Sequence, residues 1–185
     1  MMRKPSLKGR DNVKGKTALL VIDVQYGLFE RATAIYRAEQ LIKNINALIG
    51  KARRAGAEVI FVQHANKGTL LYGSEAWQLH PDIHPLHTET IIHKRHGSAF
   101  KETHLQEMLD ANGIQTLVMA GLTTHGCVNA TCAGALELGY DVLLVEDGHS
   151  NFSKNAAALI ETWNQKLHEL GATLRTADAI EFSKR

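Results

Sequence analysis

The sequence predicts an α/β fold, a doubly wound three-layer sandwich around a mostly parallel six-stranded sheet. Short apolar runs alternate with helical patterns from one end of the chain to the other. The apolar runs lack the in–out alternation of a half-exposed strand, as expected of parallel strands covered on both faces. Each helical pattern also stops at a glycine, the residue that most easily takes the left-handed conformation closing a helix.

In chain order, the strands are expected at Thr17–Asp23, Glu58–Gln63, Glu89–His93, Thr116–Gly121, Asp141–Glu146 and, more weakly, Thr173–Arg175. Ala18-Leu19-Leu20-Val21-Ile22 and Val142-Leu143-Leu144-Val145 are the clearest doubly covered runs. Helices are expected at Ile35–Ala55, Thr103–Asn112, Cys127–Leu138 and Asn155–Leu170, closed by Gly56, Gly113, Gly139 and Gly171. Leu41, Ile45, Leu48 and Ala52 give the first of them its apolar stripe at helical spacing. Strands alternating with helices through short connections make a layered α/β domain with no internal repeat or linker.

At 185 residues and 44% hydrophobic content, the chain suffices for one well-packed domain. That domain is expected over residues 17–185. Residues 1–16 carry six Lys or Arg without an apolar core segment, and read as a flexible basic N-terminal arm rather than a secretory leader. A formal charge of +2 gives no nucleic-acid footprint, and no apolar run approaches the roughly 20 residues that cross a bilayer. A cytoplasmic protein with a small-molecule partner is the expectation. The two cysteines, Cys127 and Cys132, lie five apart in one helical pattern and therefore on different faces, so both are expected as free thiols.

Ligands of open α/β sheets bind outside the carboxyl ends of the strands. Asp23, Lys94 and Cys127 stand at or just past such ends. Taken singly, Asp23 could cap a loop, Lys94 could belong to a solvated basic edge, and a cysteine could be a small buried apolar residue. Cys127 differs because Gly121-Leu122-Thr123-Thr124-His125-Gly126 leads from a strand into its helix. A thiol in the first turn of a helix is expected to have a lowered pKa, from the unpaired N–H groups and from a nearby lysine. Cys132, inside the helix, suits the buried role. The first strand runs into Asp23-Val24-Gln25-Tyr26-Gly27, which has no dinucleotide-binding glycine pattern.

Together, Leu20-Val21-Ile22-Asp23-Val24-Gln25, His93-Lys94-Arg95-His96-Gly97-Ser98-Ala99-Phe100 and Gly121-Leu122-Thr123-Thr124-His125-Gly126-Cys127-Val128-Asn129-Ala130-Thr131 resemble the isochorismatase-like cysteine hydrolases. The resemblance extends through Trp77-Gln78-Leu79-His80-Pro81, Gly139-Tyr140-Asp141-Val142 and Glu146-Asp147-Gly148, and covers roughly residues 17 to 180. It implies a catalytic triad of Asp23, Lys94 and Cys127, with a cis peptide before Thr123 turning the Thr123 and Cys127 N–H groups toward one oxyanion. It further implies an amidohydrolase working through a thioester, with Gln25, Phe29, Trp77 and His125 around the substrate. Phe29 and Trp77 are equally readable as core or subunit-interface aromatics. A vinyl-ether hydrolase and a catalytically inactive binding or assembly scaffold stay open as alternatives, since one scaffold serves several reactions.

Relatives of this kind commonly form homo-oligomers, and that assembly is expected here. Nicotinamidases carry an Asp-x-His metal pair after the second strand, where this chain has His64-Ala65-Asn66, leaving His80 as the one matching ligand. No cofactor or required metal is therefore expected. The loosely spaced His80, His84, His87, His93 and His96 do not repair that set.

Overall fold

A computed structural model describes residues 15–183. The basic arm expected over residues 1–16 lies outside these except for its last two residues, and Lys16 already opens the first strand. The six strands are β1 (Lys16–Ile22), β2 (Glu58–His64), β3 (Thr90–Lys94), β4 (Ile114–Leu122), β5 (Asp141–Ser150) and β6 (Thr173–Arg175). They form one sheet in the order β3-β2-β1-β4-β5-β6, and every pairing is parallel.

Around the sheet stand α1 (Tyr26–Phe29), α2 (Ala38–Ala55), α3 (Leu105–Ala111), α4 (Asn129–Glu137) and α5 (Ala156–Glu169). The period-two geometry of a strand sends neighbouring side chains to opposite faces. Along β1, Leu19 and Val21 join α2 and the buried C-terminal Ile180 and Phe182, while Ala18, Leu20 and Ile22 join Leu105 and Leu109 of α3, Cys132 of α4 and Leu167 of α5. Both faces are dry, which explains the unbroken apolar run. On α2, Leu41, Ile42, Ile45, Leu48, Ile49 and Ala52 form the buried stripe; each buried Leu or Ile contributes about 1.5–3 kcal/mol relative to exposure.

Several boundaries differ from the sequence expectation. The helix expected over Ile35–Ala55 begins only at Ala38, because Arg37 takes a left-handed conformation (φ 50°) directly before α2, and the short α1 precedes the expected range altogether. The strand expected at Glu89–His93 shifts to Thr90–Lys94, so Lys94 ends the strand. The helix expected from Cys127 begins at Asn129; Thr124–Val128 forms a wide preceding turn, with Gly126 far from helical angles (φ −106°, ψ −110°). Cys127 thus sits in that turn, before the regular helix.

The strand order changes its direction of progression between the parallel neighbours β1 and β4, each of which leads outward to one half of the sheet. The crevice outside the carboxyl ends of such a pair is where open α/β sheets bind ligands. Ile22 and Gly121 face one another there. Gly121 has φ +132°, and a Cβ on it would collide with the backbone carbonyl oxygen of Ile22. Glycine is therefore required for the two strands to meet at the mouth of the crevice. No helix of the described residues is long and apolar enough to cross a membrane.

Candidate active site

Four strand ends supply the site. Asp23 follows β1, His64 and Lys94 end β2 and β3, and Cys127 lies in the turn after β4. Asp23 adopts φ 50° and its N–H bonds to the Val62 carbonyl at 2.9 Å, turning its side chain off the end of the sheet. The carboxylate is buried. Its Oδ2 accepts from Lys94 Nζ at 2.9 Å, while Oδ1 is buried with no hydrogen-bond partner among the described residues.

The Lys94 side chain is 0% exposed, a setting that an ammonium tolerates only when its protons are accepted. Nζ also donates to the His96 carbonyl oxygen at 3.0 Å and stands 3.2 Å from His64 Nδ1. One side-chain atom each from Asp23, His64 and Cys127 lie within 4.8 Å of one another. The expected trio thus comes together, and His64 joins it.

The electrostatics differ from the expectation for the thiol. Burial pushes Cys127 up to about 12, reinforced by the Asp23 carboxylate and only partly offset by the Lys94 charge. The lowered pKa expected of a helix-terminal thiol fails on two counts: Cys127 precedes the regular helix, and burial beside the Asp23 carboxylate disfavours the thiolate. Burial likewise raises Asp23 above its ordinary value, opposed by the charge of Lys94 and by the Cys127 thiol. His64 moves down through burial and then the Lys94 charge.

The turn carrying Cys127 is fixed from several directions. The Leu122–Thr123 peptide bond is cis. A Cβ at Gly126 would stand 2.7 Å from Thr123 Oγ1, so a larger residue would force that side chain to move. Behind the turn, the buried His149 holds Thr124 Oγ1 through Nδ1 at 2.9 Å and Asn164 Oδ1 through Nε2 at 2.8 Å. Asn164 gives its Nδ2 to the Glu146 carbonyl at 3.4 Å, so Oδ1 is its acceptor end. His149 must then donate from Nε2 and accept from Thr124 at Nδ1, and burial lowers its pKa to about 4. Cys132 is buried in the core with 0% exposure, and both cysteines are free.

The expected substrate contacts are placed differently. Gln25 is fully buried and its amide is spent: Nε2 donates to the carbonyls of His64 (3.0 Å) and Trp77 (2.7 Å), and Oε1 accepts from His64 N–H (2.8 Å). It is a brace between strand ends, with neither amide proton left for a ligand. Phe29 packs on the His80 ring at 4.5 Å, whereas Trp77 packs on Tyr72 and His93 at 4.6 and 4.8 Å. The two aromatics thus have different ring partners. Trp77 keeps its indole N–H buried without a partner among the described residues. His125 is exposed on the turn beside Cys127.

A nicotinamidase-type metal does not fit these residues. His64 turns its Nδ1 to the ammonium of Lys94, and His80 uses Nδ1 to accept from the Asp82 N–H at 3.2 Å. A divalent ion among Asp23, His64 and Cys127 would face the Lys94 charge at contact distance. His93 and His96 are occupied with the Trp77 ring and with Glu102.

His64 escaped the sequence reading as a site residue. Its signal was nevertheless present, because it directly follows an expected strand whose neighbour in the sheet ends at Asp23. His149 gave no local signal, since only burial by distant segments makes it part of the turn's support.

The sequence profile of the isochorismatase domain matches residues 17–178. The chain belongs to the isochorismatase family. Among relatives of this isochorismatase-family chain, a streptothricin hydrolase from Streptomyces noursei is 34% identical over 171 residues, covering 91% of this chain and 62% of that protein. The chain therefore spans about three-fifths of that relative's length. Nicotinamidase 3 from Arabidopsis thaliana is 28% identical over 183 residues, covering 90% and 84% of the two chains. In fold, a crystal structure of an isochorismatase family protein superposes with a TM-score of 0.82 at 32% identity, covering 86% of this chain and 98% of that one. The N-carbamoylsarcosine amidase of Thermoplasma acidophilum superposes with a TM-score of 0.78 at 27% identity, covering 90% and 99%.

Proposed function

We propose that this protein is a cysteine-dependent amidohydrolase that cleaves a C–N bond of a small molecule through a thioester on Cys127. One observation carries the reading: a buried carboxylate with one unpartnered oxygen, a buried ammonium and a thiol converge at the switch point of the sheet. The carboxylate and the ammonium each need the other to be tolerated there.

In the free site the thiol holds its proton, since burial and Asp23 push it up to about 12. The same burial makes Asp23 a stronger base than an ordinary carboxylate. As Sγ attacks the substrate carbonyl carbon, the thiol proton passes to Asp23, and the new negative charge moves onto the substrate oxygen. The N–H groups of Thr123 and Cys127 are the assigned donors for that oxyanion. Collapse expels the amine, which takes the proton from Asp23. Water, deprotonated by the same carboxylate, then hydrolyses the thioester and restores the thiol. The charge of Lys94 favours the thiolate as that forms.

A nucleophilic thiol suits acyl transfer better than vinyl-ether cleavage, and the names of three relatives, streptothricin hydrolase, nicotinamidase and N-carbamoylsarcosine amidase, point to amide-type bonds. The inactive-scaffold reading has one observation in its favour, the high thiol pKa. It gives no reason for a buried base beside that thiol.

The test is a screen of small amides, ureido compounds and cyclic amides for ammonia or amine release, followed by Cys127→Ala and mass analysis of quenched protein. Turnover lost in Cys127→Ala, with an acyl adduct on Cys127 in the native protein, is the expected result. Undiminished turnover in Cys127→Ala would overturn it.

A further inference from the structure

An ammonium has three protons and no lone pair. Lys94 finds three acceptors, Asp23 Oδ2, the His96 carbonyl oxygen and His64 Nδ1, at 2.9, 3.0 and 3.2 Å. Because the ammonium can only donate, a hydrogen bond across the third contact requires the lone pair on His64 Nδ1 and the proton on Nε2. The ring is neutral, in keeping with burial and the Lys94 charge both lowering its pKa. Its backbone is clamped on both sides by the Gln25 amide, which is itself tied to the Trp77 carbonyl. The sheet thus spends a fully buried glutamine on setting where this histidine stands.

We propose that His64 is a positioning residue whose Nδ1 completes the acceptor cage holding the Lys94 ammonium against Asp23. Without that lone pair one proton of a fully buried ammonium is left unaccepted, and the cation loses its fixed place beside the carboxylate and the thiol. A protonated His64 would set a second cation against it, with Asp23 from the end of β1 as the sole carboxylate named at the site to balance both. The neutral imidazole is therefore part of the working state of the centre. This rests on the cysteine-hydrolase reading above.

The experiment compares His64→Asn and His64→Phe with the native protein and with Cys127→Ala. An asparagine Oδ1 occupies nearly the place of Nδ1 and can accept, whereas phenylalanine keeps the ring and cannot. Two readouts are taken: kcat and KM on an amide hydrolysed in the screen, and the rate of Cys127 alkylation by iodoacetamide, which needs no substrate. Thermal midpoints establish that each variant is folded. His64→Phe is expected to lose about tenfold or more in kcat and to slow alkylation, with KM changed by less than about threefold, while His64→Asn recovers most of both rates. Native rates in His64→Phe would overturn the proposal, as would an equal loss in the two variants. Turnover in Cys127→Ala, by contrast, would sink the cysteine mechanism whatever the His64 variants do.

Discussion

Lowering the pH should strip stability from this fold through His149. The neutral imidazole is buried, accepting from Thr124 and donating to Asn164. Its pKa falls to about 4 in the folded chain against an ordinary 6.5. Between those values the unfolded chain binds a proton that the folded chain refuses, so stability rises with pH across that window and is lost as pH falls from 6.5 toward 4. One pKa unit corresponds to about 1.4 kcal/mol, which makes the displacement worth about 3 kcal/mol. Glutamine cannot titrate, so His149→Gln isolates this contribution; the shifted Asp23, His64 and Glu89 groups are common to both proteins and cancel in the comparison. Urea unfolding of the two proteins, from about pH 7 down to about pH 4, should show the native protein's stability relative to the variant shrinking by about 3 kcal/mol. A difference that stays constant within about 0.5 kcal/mol over the range would refute the buried, neutral imidazole.

Gly121→Ala should be among the most damaging single changes, because the new Cβ would collide with the Ile22 carbonyl and the residue would be held at φ +132°. A loss of about 3 kcal/mol or more, or failure to accumulate folded protein, is expected from unfolding curves, and a change below about 1 kcal/mol would contradict the close approach of β1 and β4. With its thiol pushed up to about 12, Cys127 should alkylate about tenfold faster for each pH unit between about pH 7 and pH 10. A plateau reached below pH 9 would show a thiolate far more stable than this burial allows. Cys132, with 0% exposure, should stay unmodified until the protein unfolds.

The doubly covered strands were legible because burial on both faces leaves an apolar run visible without any partner in view. Asp23 and Cys127 were legible for a related reason, as reactive side chains standing where such runs end. The short helix α1 and the wide turn at Thr124–Val128 were not, since four or five residues without a sustained period carry too little pattern. The family resemblance implied Gln25 as a substrate contact, and only the positions of His64 and Trp77 show its amide spent on the backbone.

By itself the sequence determined the layered α/β fold, because hydrophobic period is a local property, and its short motifs carried the resemblance to the family that implies the trio of Asp23, Lys94 and Cys127. Tertiary structure alone decided the state of that trio. The thiol's high pKa, the raised carboxyl, the cage around the ammonium and the tautomers of His64 and His149 follow from desolvation and from contacts between residues far apart in the chain. Charge and proton position depend on the surrounding medium, and that medium exists only once the strands have assembled.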